Sequence, residues 1–258
     1  MLKLKTAFLF ICILAIFVGC AGNKDLLKKQ ARAKADLGLT YIRNDNLRAG
    51  VKELIEAEKI DPEDADIQHE LAQAYKDLGV YKEALVHFKK ALMLRKEFSD
   101  AQNNMGTLYL LTGQWDLAIG CFNKVISNIT YSTPHFAYNN LGLAYYNKGE
   151  YQKAINSYQK AVKILPSYSL CYCNLGLVYE TINKWEEAIG AYKKAISYYP
   201  GYSAAHLSLG KCFLRLGQNS EASKELKRTI EIDPGGPFGN EAKELVRRHK
   251  LSGVQPKK

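Results

Sequence analysis

The chain has 258 residues, of which 47% are apolar and 24% are charged. These proportions suffice for a folded core and argue against intrinsic disorder. The formal net charge is +10, a balance that can indicate nucleic acid or an anionic membrane surface as the partner. Because Lys and Arg are scattered along the chain, we interpret this charge as an ordinary solvated surface and expect no nucleic-acid partner.

Residues 1–19 have the pattern of a signal peptide. Lys3 and Lys5 precede an uninterrupted apolar run from Ala7 to Val18, which is too short to span a bilayer comfortably. Gly19 followed by Cys20 resembles a bacterial lipobox. This resemblance implies cleavage before Cys20, transfer of diacylglycerol to its thiol, and a membrane anchor supplied by the acyl chains.

Two residues near the cleavage site bear on the destination of the protein. Phe17 departs from the lipobox, which usually has Leu at that place. Ordinary cleavage after Ala21 is the alternative, and it would release a soluble periplasmic protein. Ala21 directly after Cys20 resembles the signal of lipoproteins that pass to the outer membrane. We therefore expect an outer-membrane lipoprotein that faces the periplasm, with residues 20–30 as the lipidated anchor and a short linker.

The rest of the chain is dominated by an internal repeat. Small residues recur at intervals of 34 residues, with one interval of 36, and an aromatic residue follows each of them by three positions. The small residues are Gly38, Ala72, Gly106, Gly142, Gly176 and Gly210, and the aromatic residues are Tyr41, Tyr75, Tyr109, Tyr145, Tyr179 and Phe213. A bulky apolar column follows at Leu54, Phe88, Phe122, Tyr158, Tyr192 and Leu226. Small residues let two antiparallel helices approach closely, and large ones fill the space beside them.

These columns resemble the tetratricopeptide (TPR) repeat, a helix-turn-helix unit. The resemblance implies an all-α fold, a right-handed α-solenoid of six TPR repeats with a C-terminal capping helix. The repeats are 31–64, 65–98, 99–132, 135–168, 169–202 and 203–236, the capping helix is 237–250, and 251–258 is a basic tail. One such unit cannot bury its own apolar surface, so stacking on its neighbours completes the core.

Turn residues mark the expected helix ends. We expect the first helix of a repeat to end in a left-handed residue, with Asp45 and Asn183 as substitutes for glycine. The glycines are Gly79, Gly113, Gly149 and Gly217, and the second helices are followed by Pro62, Pro166, Pro200 and Pro234.

The interval of 36 contains an extra pair, Thr133 and Pro134. Proline there is expected to block continuation of the preceding helix and to re-aim the next one.

No catalytic constellation is present in the sequence. It has no His-Glu-x-x-His, no phosphate-binding Gly-rich loop and no Gly-x-Ser-x-Gly. We therefore expect a protein that is not an enzyme and has no cofactor, metal site or small-molecule substrate. Cys121, Cys171 and Cys212 fall in columns that are buried in TPR units and are expected to act as small apolar side chains, with a Cys171–Cys212 disulfide as an alternative.

The TPR resemblance also implies where a partner binds. The first helix of each repeat lines the concave face in this family, and here that face carries apolar residues at its start and again from the fourth repeat onward. We hypothesise a partner-binding surface formed by Leu39, Ile42, Phe136, Leu143, Tyr146 and Leu177. An apolar groove with polar flanks suits an amphipathic helix or an extended apolar segment of another protein.

The order of features resembles one family within the TPR proteins. A lipoprotein signal, six TPR units and the stretch from Tyr131 through Pro134 into Asn140, Leu141 and Gly142 resemble the type IV pilus biogenesis and stability lipoproteins, or pilotins. This resemblance implies an outer-membrane lipoprotein that binds secretin subunits and promotes their insertion and multimerisation. The alternative is a general periplasmic scaffold for cell-wall or polysaccharide-export machinery.

Overall fold

The computed structural model describes residues 24–251, and all thirteen elements in this part of the chain are α-helices. The predicted signal peptide, Cys20, and residues 252–258 of the predicted basic tail lie outside the described residues. The helices are α1 (24–43), α2 (Leu47–Ile60), α3 (Ala65–Asp77), α4 (Tyr81–Leu94), α5 (Ser99–Leu111), α6 (Trp115–Ser127), α7 (Pro134–Asn147), α8 (Tyr151–Ile164), α9 (Ser169–Thr181), α10 (Trp185–Tyr198), α11 (Ser203–Arg215), α12 (Asn219–Ile232) and α13 (Pro237–Arg248).

The chain divides into two compact units, the first ending at Leu108 and the second beginning at Tyr109. In the first unit α3 packs against α4 and against α2. In the second unit α7 packs against α8, α9 against α10 and α11 against α12, and each of these pairs also contacts the next helix along the chain. The odd-numbered helices α1 to α11 are the first helices of their repeats, and the even-numbered helices are the second ones.

The first helices end as the sequence predicted. Gly79, Gly113, Gly149 and Gly217 have positive φ, and Asp45 and Asn183 do so as well, each with φ of 58°. The residue after each of them donates its backbone N–H to the carbonyl of the aromatic column, as in Val80 N to Tyr75 O at 2.9 Å. This is the hydrogen bond of a Schellman motif. The aromatic column therefore marks the last full turn of every first helix.

The alternation of small and large columns has a direct steric cause. The large column is fully buried, from Leu54 at 0% exposure to Tyr192 at 1%. A Cβ on Gly142 would lie 2.7 Å from a ring carbon of Tyr158, and a Cβ on Gly176 would lie 2.6 Å from a ring carbon of Tyr192. Glycine is required there because the tyrosine ring lies directly on the glycine Cα.

The irregular interval lies in a loop, and the prediction about the preceding helix was wrong. α6 ends at Ser127, so Pro134 does not terminate it. The two extra residues lengthen the connection to residues 128–133, whereas the next connection is 165–168. Pro134 is instead the first residue of α7, a position where its missing N–H costs no helical hydrogen bond.

The end of the described chain packs back on the last repeat. α13 contacts α12 and α11, and Ala242 of α13 and Leu251 beyond it are buried. Asp233 accepts hydrogen bonds from the backbone N–H groups of Phe238 and Gly239 at 3.0 and 3.1 Å, which holds the first turn of α13. An apolar surface of the sixth repeat is thereby covered.

The expected buried cysteines are confirmed, and the disulfide alternative is not. Cys121, Cys171 and Cys212 are at most 5% exposed, and Cys171 and Cys212 are free thiols. The Cys171 thiol donates instead to the carbonyl of Tyr158 at 3.4 Å. Between residues 24 and 251, no helix has the length and apolar character needed to cross a membrane.

Candidate partner-binding surface

The second unit presents an apolar face on α7 and α9, formed by Phe136, Leu143, Leu170 and Leu177. Phe136 and Leu143 are seven residues apart, as are Leu170 and Leu177, so each pair lies on one side of its helix. Phe136 is 43% exposed, Leu170 45% and Leu177 41%. Exposed apolar side chains that lie together on one face are typical of interaction sites.

Two polar contacts join α7 to α9 and orient this face. The side-chain amide of Asn174 donates a hydrogen bond to the side-chain oxygen Oδ1 of Asn139 at 3.0 Å, and the Tyr146 hydroxyl lies 3.2 Å from the Thr181 hydroxyl. Leu143 lies between Asn139 and Tyr146 along α7. Leu177 similarly lies between Asn174 and Thr181 along α9. The two hydrogen bonds therefore hold both leucines toward the same side of the unit.

An aromatic cluster closes one end of the apolar face. The rings of His135, Phe136 and Tyr168 lie 4.2 to 5.7 Å apart between centroids, and Tyr168 meets the other two edge-on. Burial lowers the pKa of His135 and raises the pKa of Tyr168 to about 12. Both pKa shifts favour the neutral forms of these rings, so this end of the face offers mainly apolar and aromatic surface.

The other end of the same unit is charged. A cavity of about 490 Å³ is lined by Glu180, Lys211, Arg215, Arg248 and His249 together with two leucines, Leu214 and Leu245. Glu180 accepts a hydrogen bond from the Tyr192 hydroxyl at 2.9 Å, and Lys211 pairs with Glu241 at 2.6 Å. Arg215 lies over the Trp185 ring. The apolar face is thus bounded by aromatic rings at one end and by a mainly basic cavity at the other.

The first unit has a polar surface in the corresponding columns. Arg32 of α1 contacts Asp64 and Asp66 at 2.8 Å and Glu70 at 3.6 Å. Arg95 adds a two-pronged contact to Asp66 at 2.9 and 2.6 Å. The hydrogen bond from Arg95 holds the pKa of Asp66 below its usual range. The two guanidinium groups face three carboxyl groups, those of Asp64, Asp66 and Glu70. They therefore neutralise only part of this acidic cluster.

Glu70 is the least satisfied member of the cluster. Its Oε2 is buried without a hydrogen-bond partner in the described part of the chain. Burial, with smaller contributions from Asp66, Asp64 and Asp36, raises the pKa of Glu70 to about 7, although Arg32 opposes this shift. At neutral pH the side chain is consequently shared between its protonated and ionised forms.

The structure places the residues predicted to bind a partner in both units. Phe136, Leu143 and Tyr146 lie on α7 and Leu177 on the adjacent α9. Leu39 and Ile42 lie on α1 of the first unit and are half-buried. Ile42 packs against the buried cluster of that unit, where a Cβ on Gly50 would lie 2.4 Å from its Cγ1. Much of its surface is therefore used inside the first repeat.

Sequence reasoning missed the polar contacts that join neighbouring first helices. Asn139–Asn174 and Tyr146–Thr181 are each separated by 35 residues, as is the contact of Asn104 with His69 at 2.9 Å in the first unit. This separation is one more than the repeat length. A search for polar residues at that offset would have found them, whereas a column-by-column reading compares only equivalent positions.

The described residues show no constellation for catalysis. Within 24–251, no group of three His, Cys, Asp or Glu side chains could hold a metal ion. Burial raises the pKa values of Cys171 and Cys212 to about 12. Both are thiols rather than thiolates at neutral pH and are poor nucleophiles.

Three family models match the chain, all described as tetratricopeptide or TPR repeats, over residues 65–97, 142–183 and 183–246. Together with the helix pairs and their Schellman ends, these matches decide the family. The chain is an all-α solenoid of tetratricopeptide repeats. This fold is typical of non-catalytic scaffolds for protein interaction.

Solved structures with the same architecture include PilW, PilF and MamA. PilW, described as a widely conserved type IV pilus biogenesis factor, has a TM-score of 0.76 and 20% identity, with 82% of this TPR chain and 97% of PilW covered. PilF of Pseudomonas aeruginosa has a TM-score of 0.71 and 18% identity, with 84% and 99% covered. MamA has a TM-score of 0.57 and 29% identity, with 67% and 97% covered.

The likenesses to PilW and PilF show a shared fold only, because the sequence identities are 20% and 18%. Comparison with curated proteins gives no match.

Proposed function

We propose that this TPR protein binds a protein partner without catalysing a reaction, and that the apolar face of the second unit is the binding site. The observation that carries this proposal is the joint exposure of Phe136, Leu170 and Leu177, each above 40%, on adjacent first helices. Burial of such side chains on binding stabilises a complex by about 25 cal/mol for each Å² removed from water.

The chemistry of the face favours an apolar or amphipathic segment as the ligand. Neutral rings at one end and leucines along the middle provide apolar surface, and the hydrogen-bonded pairs Asn139–Asn174 and Tyr146–Thr181 have already satisfied much of their polar capacity. A helix or strand with one apolar side can cover this face without leaving its own backbone groups unpaired.

For the biological setting we propose a pilotin role in type IV pilus biogenesis. It is supported by the order of lipobox, TPR units and the Tyr131–Pro134 stretch, and by the fold shared with PilW and PilF. In this proposal the lipid on Cys20 holds the protein at the outer membrane, facing the periplasm. The apolar face then shields a segment of an unassembled secretin subunit until it multimerises.

The binding site can be tested with a double substitution, Leu143→Arg with Leu177→Arg. Two guanidinium groups on the apolar face should abolish capture of the partner, because the partner would have to bury them without counter-charges. The matched control is Gln152→Arg with Gln159→Arg, which adds the same charge to exposed positions of α8. Circular dichroism and thermal melting check that both variants are folded.

Unchanged capture by the folded Leu143→Arg, Leu177→Arg variant would contradict the assignment of the site. Should that variant melt early, Leu177→Arg alone provides the test, because its side chain is already 41% exposed.

Partner identity and membrane anchoring require a separate experiment. A pull-down from membrane fractions, with the wild-type chain and with Cys20→Ser, should recover a secretin subunit, and Cys20→Ser should move the protein out of the membrane fraction. Recovery of cell-wall or polysaccharide-export components instead of secretin would support the general scaffold. Membrane association that survives Cys20→Ser would contradict the lipid anchor.

A further inference from the structure

The outward side of α4 in the first unit has an unusual composition. Lys82, Val86, Lys89 and Met93 follow one another at spacings of four, three and four residues, so they form one stripe along the helix. The opposite side of α4 carries Ala84, Phe88 and Ala91, all 0% exposed. We call the outward row the lysine stripe. It faces solvent directly away from the core.

The apolar members of the lysine stripe are mostly exposed to solvent. Val86 is 61% exposed and Met93 is 72% exposed. The other five repeats provide an internal comparison, because their equivalent positions show what the fold itself requires. Positions equivalent to Val86 are Lys52, Gly120, Asn156, Gly190 and Lys224, and those equivalent to Met93 are Lys59, Ser127, Lys163, Ser197 and Glu231. Polar residues or glycine stand at all ten, so α4 departs from the rest of the chain.

The charges on the lysine stripe are uncompensated. Neither Lys82 nor Lys89 forms an ion pair within residues 24–251, although the adjacent Lys90 pairs with Glu58 at 3.0 Å. No acidic residue belongs to the stripe. The surface therefore combines exposed apolar side chains with positive charge on a single helix, and a complementary partner must be negatively charged and able to accept Val86 and Met93.

The form of the surface distinguishes a lipid partner from a protein partner. Protein interfaces are built around aromatic or Arg anchors in pockets and are depleted in Lys. The lysine stripe has two lysines and no aromatic ring, and it lies on the exposed side of one helix. Long lysine side chains beside apolar ones can reach up to phosphate groups while the apolar side chains enter the lipid boundary.

We propose that the lysine stripe of α4 is a membrane-contact surface that binds the headgroup region of anionic phospholipids. Each lysine near an anionic membrane strengthens binding by about fivefold, and Val86 and Met93 add the burial of their exposed surface. A contact of this strength is reversible by itself. It would complement the lipid anchor proposed at Cys20, because stable attachment takes two signals. The proposal does not depend on the apolar face of the second unit.

The test uses the chain from Ala21 onward, which contains the whole described fold and lacks Cys20, so that no acyl chain contributes. Sedimentation with phosphatidylcholine vesicles, with and without phosphatidylglycerol, measures binding at about 0.15 M salt. We expect binding to the vesicles that contain phosphatidylglycerol and little to the others. Lys82→Gln with Lys89→Gln should weaken binding by about 25-fold, since the two contributions multiply. Val86→Asn with Met93→Ser, which introduces residues found at these positions in other repeats, should also weaken it.

The matched control removes the same charge elsewhere. Lys163→Gln with Lys194→Gln alters two exposed lysines of α8 and α10 and should leave vesicle binding nearly unchanged. Equal losses in this control and in the Lys82, Lys89 variant would overturn the proposal, because general charge would then explain binding. Full binding by the Val86→Asn, Met93→Ser variant, or equal binding to both kinds of vesicle, would also overturn it. All substituted positions are exposed, so the variants should remain folded, and circular dichroism verifies this.

Discussion

Replacing Glu70 with Gln is expected to stabilise the first unit at alkaline pH and to have little effect in acid. The Glu70 carboxyl has 20% exposure, lies 3.6 Å from Arg32, and shares that guanidinium with Asp64 and Asp66, which bind it at 2.8 Å. Burial therefore outweighs attraction, and the pKa of Glu70 rises from 4.5 to about 7. In the unfolded chain the same carboxyl ionises near its ordinary value.

The sign and size of the effect follow from proton linkage. Between pH 4.5 and about 7 the folded state holds a proton at Glu70 that the unfolded state has released, so stability falls as pH rises through this range. Each pKa unit corresponds to about 1.4 kcal/mol, so the shift from 4.5 to about 7 sets an upper limit of about 3.5 kcal/mol above pH 7. Partial exposure of Glu70 and its attraction to Arg32 reduce this limit. We expect Glu70→Gln to gain about 1 to 2 kcal/mol at pH 8 and close to none at pH 4.

Urea denaturation followed by circular dichroism, repeated across this pH range, measures the difference. Hydrogen exchange of α3 peptides locates the gain in the first unit. Glu63→Gln is the control, because it makes the same substitution at an exposed position of the same unit. A Glu70→Gln variant that is less stable than wild type at pH 8, or that keeps the wild-type pH dependence, would show that Arg32 holds Glu70 as a stabilising ion pair.

Two further predictions concern the helix pairs. Gly142→Ala should destabilise the second unit by about 1 to 2 kcal/mol in urea denaturation, because the new Cβ would press on the buried Tyr158 ring. Gly190→Ala should instead stabilise the unit by about 0.5 to 1 kcal/mol, because a Cβ at Gly190 meets nothing within 4 Å. A loss at Gly190 equal to that at Gly142 would refute the packing argument. Asn183→Ala should lower the free energy of unfolding by about 1 kcal/mol and Asn183→Gly should leave it unchanged, because residue 183 has a positive φ of 58°. Equal stability of the two variants would show that the left-handed conformation does not limit stability at this position.

The helix ends and the core columns could be predicted from sequence because each depends on local chemistry repeated several times. A left-handed residue is needed at the end of a first helix, and the pattern of glycines predicted that Asp45 and Asn183 fill the same place. The burial of Tyr158 against Gly142 likewise follows from two columns that recur in register. Because the same local preference recurs in several repeats, the helix ends and the core columns can be assigned even though the preference at any single position is weak.

Contacts between repeats could not be predicted in the same way. Arg32 meets Asp64 and Asp66, 32 and 34 residues away, and the choice among nearby carboxylates depends on rotamers that no column records. The placement of Ile42 shows the same limit. Its column predicted a groove residue, yet the absence of a side chain at Gly50 opens space inside the repeat, and Ile42 packs there.

Comparison of the six repeats also distinguishes positions where folding requires a particular kind of side chain from positions where it does not. In the column that contains Tyr158 and Tyr192, the side chain is fully buried in every repeat, so the choice of residue there is explained by packing in the core. At the columns of Val86 and Leu177 the side chains are exposed by 61% and 41%, and the fold accepts Gly, Asn or Lys at the former. Folding therefore gives no reason for an apolar residue at Val86, and exposing one to water carries a cost in solubility. An exposed apolar residue in a column where the fold does not require one is the physical basis for the contact that we propose on α4, and the joint exposure of Phe136, Leu170 and Leu177 is the basis for the contact that we propose on α7 and α9.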